Sequence, residues 1–355
     1  MTISENFISN SVNRLDVAIY DYLEKKLSRT QVQKFIQEQG VVVSGEMVYK
    51  HGYKINLGSQ IELSWLENIQ ELDLDLVSKI ETVIEAVHYL IIKKPPGLVV
   101  HSGAGHQGDT LADWLVEKYP EQSQMQGGDP EDVHENPHLG GGMVHRLDKD
   151  TQGLMLIARD FETLRFFQEQ FKSREVKKKY LAILDGKLEF KTKLKGFQIR
   201  TRRNVLKQFF TLENIEDQVI AEKISKNIPL KGDWRTSESD FTPLYYNSEL
   251  NQTIAEVQIF TGRMHQIRTQ AEFLGFPIFQ DPLYKVLNDV NLTDLAQKYH
   301  QRIGLEKTEI KHLSELEFKT KIHSIFDFDQ RTSFFLKAYS LEILLPDGKI
   351  GKFEC

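Results

Sequence analysis

The stretch Gly140-Gly141-Gly142-Met143-Val144-His145-Arg146-Leu147-Asp148, together with the apolar run 154–158 that follows it, decides the interpretation of this sequence. Residues 154–158 read Leu-Met-Leu-Ile-Ala, and a short, continuous apolar run of this kind is typical of a buried strand. The segment therefore places an acidic residue, Asp148, on a loop just before a buried strand. A carboxylate held in such a loop can serve as a nucleophile or a base.

Length and composition are those of an ordinary folded protein. The chain has 355 residues, enough for two domains, and 40% of them are hydrophobic and 27% charged. It contains no run of about 18 apolar residues and does not start like a secretory signal, so we expect neither a membrane span nor export. The only cysteine, Cys355, excludes an intramolecular disulfide and a multi-thiolate metal centre. We therefore predict a cytoplasmic protein.

Basic residues are concentrated in one part of a chain whose net charge is -6. Between Lys172 and Lys207, thirteen Lys and Arg residues stand against three acidic ones, an excess of ten positive charges. Because phosphate binding depends largely on Lys and Arg, a face built from this segment could attract a polyanion. The same pattern also describes an ordinary solvated surface, and the charge run does not choose between the two.

The amino-terminal part combines two helical patterns with short strands. Apolar residues recur at helical spacing over 13–27, Ser28 is a plausible N-cap for a second helix over 29–39, and two short strands follow. Residues 11–70 resemble an S-four-type RNA-binding domain, a small α/β module; a helical hairpin without a ligand is the alternative. The resemblance implies RNA contacts in and around the start of the second helix, at Arg14, Ser28, Arg29, Gln33 and Lys34.

The acidic segment 71–86 is predicted to be a linker, and residues 87–355 are predicted to form a larger domain. Short strand-like runs alternate there with helical patterns, and this mixed order favours an α+β fold over a strictly parallel α/β sheet. We therefore predict a mixed, largely antiparallel central sheet flanked by helices. Residues 285–331 are interpreted as a helical, charged insertion between two core strands. The other helical patterns cover residues 110–118, 161–172 and 265–274.

Four segments of this larger domain resemble the pseudouridine synthases that modify large-subunit ribosomal RNA and, in some members, transfer RNA (the RluA-like family). The family signature His-Arg-Leu-Asp corresponds to residues 145–148. Segment 89–101, YLIIKKPPGLVVH, is similar to the opening strand of the family and its proline-glycine turn. Segments 179–184 and 261–268 are similar to two further family segments, and all four occur in the family order.

The resemblance implies an RNA-modifying isomerase whose catalytic carboxylate is Asp148. Tyr180 corresponds to the tyrosine that stacks on the target base. Arg268 corresponds to the arginine that pairs with the acid, which would favour the ionised carboxylate and fix its direction. Arg146 corresponds to the residue that fills the space left by the flipped nucleotide. Further substrate contacts are predicted at His145, Arg263, His265 and Gln266.

The implied reaction suits a single carboxylate. Uridine becomes pseudouridine when the bond from its ring nitrogen to ribose breaks, the base turns, and a ring carbon bonds to the ribose instead. A carboxylate can attack the ribose, add to C6 of uracil or remove a proton, and all three uses need its ionised form. The resemblance therefore implies no metal or other cofactor, a monomeric enzyme, and RNA as its partner. The S-four-type module favours ribosomal RNA, with transfer RNA as the second possibility.

Four positions depart from the family pattern. Gln152 stands where Ser is usual, Gln280 where Gly usually precedes Asp, Lys285 where Gly often follows Tyr, and Lys337 where His is usual between Leu and Ala. None of them is a predicted catalytic position. We expect them to alter turn geometry or substrate contacts.

Similar residue types serve other chemistries. The histidines lack the tight helical spacing of a metalloprotease. The three glycines before Met143 are not followed by the Gly-Lys-Ser/Thr of a phosphate-binding loop, and they predict close approach of the backbone to RNA instead. Asp148 and Asp150 could form the carboxylate pair of a glycosidase, but Asp150 fits a turn better. A non-catalytic RNA-binding protein, the remaining alternative, has no need of a matched acid, tyrosine and arginine.

Overall fold

In a computed structural model of the protein, the chain divides into two compact units. One unit comprises Met1–Lys79 and Val99–Lys118, and the other comprises Ile80–Leu98 and Tyr119–Cys355. No helix within the described residues is long and apolar enough to cross a membrane. The structure describes residues 2–10, 12–23, 32–33, 35–36, 40–66, 76–101, 110–125, 140–201, 207–212, 230–285, 306–327 and 334–355.

The described part of the first unit contains a four-stranded sheet in the order β1-β6-β3-β4, a separate β2-β5 pair, the helices α1 and α2, and helical residues at 32–33 and 35–36. Its elements are β1 (Thr2–Ile8), β2 (Asn13–Arg14), α1 (Leu15–Tyr22), β3 (Val41–Val43), β4 (Glu46–Val48), β5 (Lys54–Ile55), β6 (Gln60–Leu66) and α2 (Leu111–Lys118). Leu15 and Ile19 of α1 pack with Val32, Ile36 and the apolar residues of the strands in one buried cluster. Most of the predicted second helix, 29–39, lies outside the described residues.

The second unit is built on a twelve-stranded sheet. Its main order is β12-β11-β13-β14-β10-β17-β9-β8-β7, while β15, β16 and β18 pair with β11, β13 and β17. The described pairs are antiparallel except β9 with β17 and β13 with β16, which confirms the predicted mixed, largely antiparallel sheet and the α+β class. The strands are β7 (Glu81–Glu85), β8 (Tyr89–Lys94), β9 (Gln152–Ala158), β10 (Lys177–Asp185), β11 (Phe190–Thr201), β12 (Gln208–Leu212), β13 (Leu230–Asn247), β14 (Gln252–Ile259), β15 (Glu306–Lys307), β16 (Lys311–His312), β17 (Leu336–Leu344) and β18 (Ile350–Glu354).

Three α-helices of the second unit are described, along with a short 3₁₀ helix at Pro120–Met125. The α-helices are α3 (Phe161–Lys172), α4 (Gln266–Phe273) and α5 (Glu315–Ile325). Helix α3 begins after Asp160, whose carboxylate accepts the backbone N–H of Thr163. Its Leu164 and Phe167 pack in the same buried cluster as Leu156 of β9. The helices predicted at 110–118, 161–172 and 265–274 are thereby confirmed to within one residue at each end.

Strand β7 lies in the segment that the sequence assigned to the acidic linker 71–86. It pairs with β8 at the edge of the large sheet, so the second unit begins at Ile80 and not at residue 87. Glu81 and Glu85 are exposed, whereas Ile84 is half-buried. Charged side chains are common on edge strands, which is why this strand resembles a linker in the sequence. Residues 67–75 lie outside the described part of the chain.

The predicted insertion, 285–331, is described in part, and its helical character is confirmed at α5. This helix begins with a capping box, in which the Ser314 hydroxyl and the Glu317 carboxylate bond reciprocally to backbone N–H groups. Phe318 and Ile322 of α5 are buried in a cluster with Ile183 of β10. The helix is therefore packed on the sheet.

Candidate active site

Two glycines bound the loop that carries Asp148. At Gly142 (φ +77°) an added Cβ would lie 2.0 Å from the Ala158 carbonyl oxygen, and at Gly153 (φ +118°) it would lie 2.1 Å from that of Ala338. The N–H of Ala158 also donates to the Gly142 carbonyl at 2.8 Å. The triple glycine thus permits close approach to a neighbouring strand of the protein. The predicted approach to RNA is wrong at Gly142, because the space is already filled by the Ala158 backbone.

Lys94, the last residue of β8, holds the middle of the same loop. It is fully buried, and its Nζ donates to the carbonyl oxygens of Pro95, Leu98 and Lys149 at 2.9, 2.8 and 2.7 Å. Burial lowers the pKa of Lys94 to about 7. The backbone immediately after Asp148 is therefore fixed by a side chain from a neighbouring strand.

The carboxylate of Asp148 faces two side chains that the sequence placed in the site. Its Oδ2 lies 3.7 Å from Nη1 of Arg268 and 3.9 Å from Nε2 of His265. The Asp148 side chain is 19% exposed, so it stays accessible while its direction is constrained. Residues more than 115 positions apart in the sequence are thereby brought to one point.

Arg268 makes its strongest contact with Asp281, which the sequence did not assign to the site. Its Nε and Nη2 donate to the two carboxylate oxygens at 2.7 and 2.8 Å, and both side chains are buried. Asp281 also accepts the N–H groups of Leu283 and Tyr284. Arg268 thus lies beside Asp148, as the sequence predicted, and it has a second partner: Asp281 fixes the guanidinium through Nε and Nη2, which leaves Nη1 facing Asp148.

His265 is oriented by Tyr284. Its Nδ1 lies 3.1 Å from the Tyr284 hydroxyl, and that hydroxyl accepts the N–H of Gln208 at 2.8 Å. Since the hydroxyl proton can then be donated to Nδ1, the arrangement favours the tautomer with its proton on Nε2, the nitrogen facing Asp148. Burial lowers the pKa of His265, against the opposing effect of the Asp148 charge. His265 is thus a neutral potential donor beside the carboxylate.

Tyr180 of β10 is almost fully buried, with 7% exposure. Burial, followed by the negative charge of Asp148, raises the pKa of its hydroxyl. The tyrosine is therefore within electrostatic range of Asp148 and stays protonated at physiological pH. Both properties suit an aromatic wall of the pocket predicted from the sequence.

Gln266 is not available to RNA, which corrects the sequence-based prediction. Its Nε2 donates to the Glu238 carbonyl and the Ser239 hydroxyl, and its Oε1 accepts from the Thr261 hydroxyl and the Arg263 N–H. The side chain is buried and its hydrogen-bonding groups are used inside the fold. Gln266 thus ties the loop before α4 to strand β13.

His145 is also a supporting residue and not the RNA contact that was predicted. Its Nε2 accepts the N–H of Leu156 at 3.0 Å, and its ring stacks on Phe171 at a centroid distance of 5.2 Å. Burial, followed by the positive charge of Lys178, lowers the pKa of His145 to about 3. A neutral imidazole therefore joins the start of the loop that carries Asp148 to β9 and α3.

Two arginines of the predicted substrate-binding set remain at the surface. Arg146 is exposed, two residues before Asp148. Arg263 is half-buried, and its Nε donates to the Thr236 carbonyl at 3.0 Å. Their predicted contacts with RNA remain predictions.

In the first unit, two predicted RNA contacts are engaged within the fold. Arg14 makes a bidentate contact with Asp16 at 2.9 and 3.0 Å, and Gln33 donates to the same carboxylate at 2.6 Å. Asp16 is fully buried, whereas the Arg14 side chain is 45% exposed. Arg14 can therefore still present an edge to a ligand, and Gln33 serves to hold Asp16. Ser28, Arg29 and Lys34 lie outside the described residues.

In its described part, residues 172–201 and 207, the basic run does not form a uniformly positive face. Lys177 pairs with Glu342, Lys179 with Glu256 and Lys207 with Glu272, at 2.6, 3.0 and 2.8 Å. In the β11–β13 register, Lys193 and Lys195 stand opposite Asp240 and Glu238. Acids from distant parts of the sequence therefore offset much of this local charge.

Asp281, Tyr284 and Lys94 are the supporting residues that sequence reasoning missed. In the sequence, the segment around Asp281 stands out only because Gln280 occupies the position before it, where Gly is usual. A stronger signal is physical: a buried arginine requires a buried acidic partner. Few acidic residues near the family segments could be that partner. Among the described residues, no group of three His, Cys, Asp or Glu side chains is arranged to hold a metal ion.

The site lies in a region that matches a known family. Residues 88–273, just over half of the chain, match the family model described as RNA pseudouridylate synthase. An uncharacterised RNA pseudouridine synthase of Helicobacter pylori strain J99 is 32% identical over 343 residues, covering 94% of each chain. The chain therefore belongs to the RNA pseudouridylate synthase family. It is an RNA pseudouridine synthase, an isomerase that acts on RNA.

Other relatives carry more specific names. The ribosomal large subunit pseudouridine synthase D of Buchnera aphidicola subsp. Schizaphis graminum is 29% identical over 278 residues, covering 78% of this chain and 77% of the relative. Among solved structures, the human RNA pseudouridylate synthase domain containing 1 aligns with a TM-score of 0.48 and 17% identity, over 80% of this chain and 86% of that chain.

Proposed function

We propose that this protein converts uridine in large-subunit ribosomal RNA to pseudouridine, with Asp148 as the catalytic carboxylate and the target base flipped out of its helix. The observation that carries the proposal is the position of Asp148, which is partly exposed and faces Arg268 at 3.7 Å and His265 at 3.9 Å. Two potential donors beside one carboxylate oxygen hold the carboxylate in one direction, which leaves its other oxygen free to react.

The reaction is a redox-neutral isomerisation. The bond between N1 of uracil and C1′ of ribose breaks, C5 bonds to C1′, the C5 proton leaves and N1 gains a proton. In one route, Asp148 bonds to C1′ as N1 leaves, and that bond breaks when C5 attacks C1′. In the other route, Asp148 adds to C6 of the base, and that bond breaks by elimination after C5 has bonded to C1′. Arg268 and His265 are placed to hold the second oxygen of Asp148 in either route.

The flipped base is held by Tyr180 and replaced in the helix by Arg146. Tyr180 offers a buried aromatic ring near Asp148, and stacking on an aromatic ring is a common way to bind an extruded base. Arg146 is exposed next to the catalytic loop, and its planar cation suits insertion among bases and phosphates. Flipping the base out of the helix costs unstacking free energy, but it brings the target atom within reach of the carboxylate.

Relatives named for the large ribosomal subunit support ribosomal RNA as the substrate. The first unit supports the same choice through the resemblance of residues 11–70 to an S-four-type RNA-binding domain. We further propose that the second unit, which begins at Ile80, contains the catalytic site, and that a monomer is active without a metal or redox cofactor.

The test is an assay of the purified protein, in a chelating buffer, on unmodified large-subunit ribosomal RNA and on transfer RNA. Pseudouridines are mapped before and after incubation. The proposal predicts new pseudouridine at one or a few positions of the ribosomal RNA. New sites in transfer RNA alone would overturn the substrate assignment, and no new site in either RNA would overturn the proposed activity.

A further inference from the structure

Gln152 is one of the departures from the family pattern, and its side chain hydrogen-bonds to the end of the predicted insertion, 285–331. Its Oε1 accepts the backbone N–H of Asp327 at 2.9 Å, and its Nε2 donates to the carbonyl of the same residue at 3.4 Å. Gln152 is fully buried and is the first residue of β9, four positions after Asp148. One side chain thus binds both polar groups of a backbone unit that lies 175 positions away.

Lys337 is a second departure from the family pattern, and its side chain hydrogen-bonds to the same segment. Its buried Nζ donates to the Ile325 carbonyl, the last residue of α5, at 2.7 Å. An ammonium there satisfies a carbonyl that the helix leaves free and opposes the negative end of the helix dipole. Lys337 pairs with Gln152 in the short parallel register between β17 and β9. The two unusual residues therefore act from adjacent strands.

Two further contacts join this segment to the catalytic elements. Nζ of Lys93, on β8, lies 2.9 Å from the Asp327 carboxylate. Beyond residues 328–333, which lie outside the described structure, the chain continues at Phe334. The Arg268 guanidinium stands over the Phe334 ring at 4.5 Å. The end of the insertion thus contacts β8 and β9, and Phe334, just beyond the insertion, contacts the arginine that faces Asp148.

We propose that residues 325–327, at the end of α5, are a positioning element for Asp148 that acts through the buried pair Gln152 and Lys337. The inference rests on the proposed function and adds a role for the insertion. Two anchors hold the chain just after Asp148: Lys94 donates to the Lys149 carbonyl, and the Gln152 side chain bonds to the backbone of Asp327. Loss of the anchor at Gln152 should leave the protein folded and Asp148 in the site, but less precisely placed.

The residue types support this assignment. A serine at position 152 is too short to reach two backbone groups across the same gap, and a glutamine amide supplies one donor and one acceptor. A lysine at 337 supplies a long, charged donor suited to a helix carboxyl end. Both side chains are buried, and burying their polar groups without these partners would cost folding free energy. The two residues and the docking of α5 therefore depend on each other.

The experiment compares Gln152→Ala and Lys337→Met with the wild type, using Lys337→Arg as the conservative rescue and Lys319→Ala as the control. Lys319 lies on the exposed side of α5 and pairs only with Glu315 among the contacts described. All proteins are assayed for pseudouridine formation on the same RNA at a temperature where each is folded by circular dichroism.

We expect kcat to fall by about ten- to a hundredfold in Gln152→Ala and Lys337→Met, with KM for RNA changed by less than about twofold. Lys337→Arg should recover most of the loss, and Lys319→Ala should match the wild type. Folded variants with wild-type kcat would overturn the positioning role, even if their melting temperatures fell. A wild-type protein that forms no pseudouridine would instead overturn the proposed function, so the two failures are distinct.

If Gln152→Ala does not fold, Lys337→Met decides the question alone, since it keeps the long apolar stem of lysine and removes only the charged donor. Loss of kcat in that variant supports the inference. An unchanged kcat with a raised KM contradicts it, because the insertion would then contribute to RNA binding and not to the placement of Asp148.

Discussion

At the scale of single residues, Asp148 is defined by the side chains that surround it. The sequence located this carboxylate together with Tyr180 and Arg268, because short family segments carry those three residues. It could not reveal Asp281, since the bidentate contact with Arg268 depends on how α4 meets the following loop. Residue types with several possible roles, such as His145 and Gln266, were assigned to RNA although the fold uses them internally.

Asp281→Asn should lower both activity and stability. The variant keeps one acceptor oxygen but loses the charge that fixes Arg268, so breaking the buried pair should cost about 3–5 kcal/mol of unfolding free energy. The misdirected guanidinium should lower kcat by about ten- to a hundredfold. Urea unfolding and single-turnover kinetics measure the two effects. The exposed Asp233→Asn serves as the matched control, and equal behaviour of the two variants would contradict this role of Asp281.

His145 should make the protein less stable in acid. Its pKa is lowered to about 3 in the folded state from an ordinary value of 6.5. As the pH falls below 6.5, the unfolded chain therefore binds a proton that the folded protein does not, and stability is lost. The loss attributable to His145 should be on the order of 2 kcal/mol by about pH 4.5.

Urea unfolding of His145→Gln at neutral pH and at about pH 4.5 tests this linkage. The glutamine can still accept the Leu156 N–H but does not titrate, so the fall in stability between the two pH values should be smaller than in the wild type. The exposed His323→Gln is the control and should fall as much as the wild type. An identical fall in His145→Gln would show that another group is responsible.

At the scale of helices and strands, local patterns predicted what is local. Helix α3 is predicted at its observed bounds because its helical pattern of apolar residues lies within the segment itself. Strand β7 was missed because its identity comes from pairing with β8, and its alternating acids resemble a solvated linker. The triple glycine was misassigned for a similar reason: the backbone that it approaches, at Ala158, is brought there by the fold.

Gly142→Ala should destabilise the protein more than Gly275→Ala. Both glycines have a positive φ, +77° and +81°, so both substitutions carry backbone strain of about 1 kcal/mol or more. Only at Gly142 does the added Cβ meet an obstacle, the Ala158 carbonyl oxygen at 2.0 Å, whereas nothing lies within 4 Å at Gly275. The difference between the two should exceed about 1 kcal/mol in urea unfolding. Equal destabilisation would mean that the β9 contact can relax.

At the scale of the whole molecule, sequence order and spatial order differ. The division into an amino-terminal module and a larger domain was predictable, but Val99–Lys118 groups with the first unit although the larger domain surrounds it in sequence. The basic run 172–207 was compatible with a positive surface or with an ordinary solvated one, and in the structure acids such as Glu256 and Glu342 pair with it from later strands. Charge counted along a strand is a poor guide when the neighbouring strand comes from elsewhere.

The amino-terminal module should contribute to RNA affinity and not to the chemical step. Arg29→Ala should weaken RNA binding and leave kcat at saturating RNA unchanged. A plot of the logarithm of the binding constant against the logarithm of the salt concentration should become shallower by about one, as expected for one lost phosphate contact. Filter binding over a salt series measures this. Lys50→Ala removes the same charge from an exposed position and should bind RNA like the wild type. Equal losses in both variants would point to general charge and not to a contact at Arg29.

The role of Asp148 is tested most directly by Asp148→Asn, a substitution that keeps the size of the side chain and removes its negative charge. Wild type, Asp148→Asn and the loop control Asp150→Asn are compared by mapping pseudouridine in large-subunit ribosomal RNA, alongside RNA binding. We predict that Asp148→Asn forms no pseudouridine above background while binding RNA as the wild type does, and that Asp150→Asn stays active. Pseudouridine formed by Asp148→Asn at the wild-type rate would contradict the account.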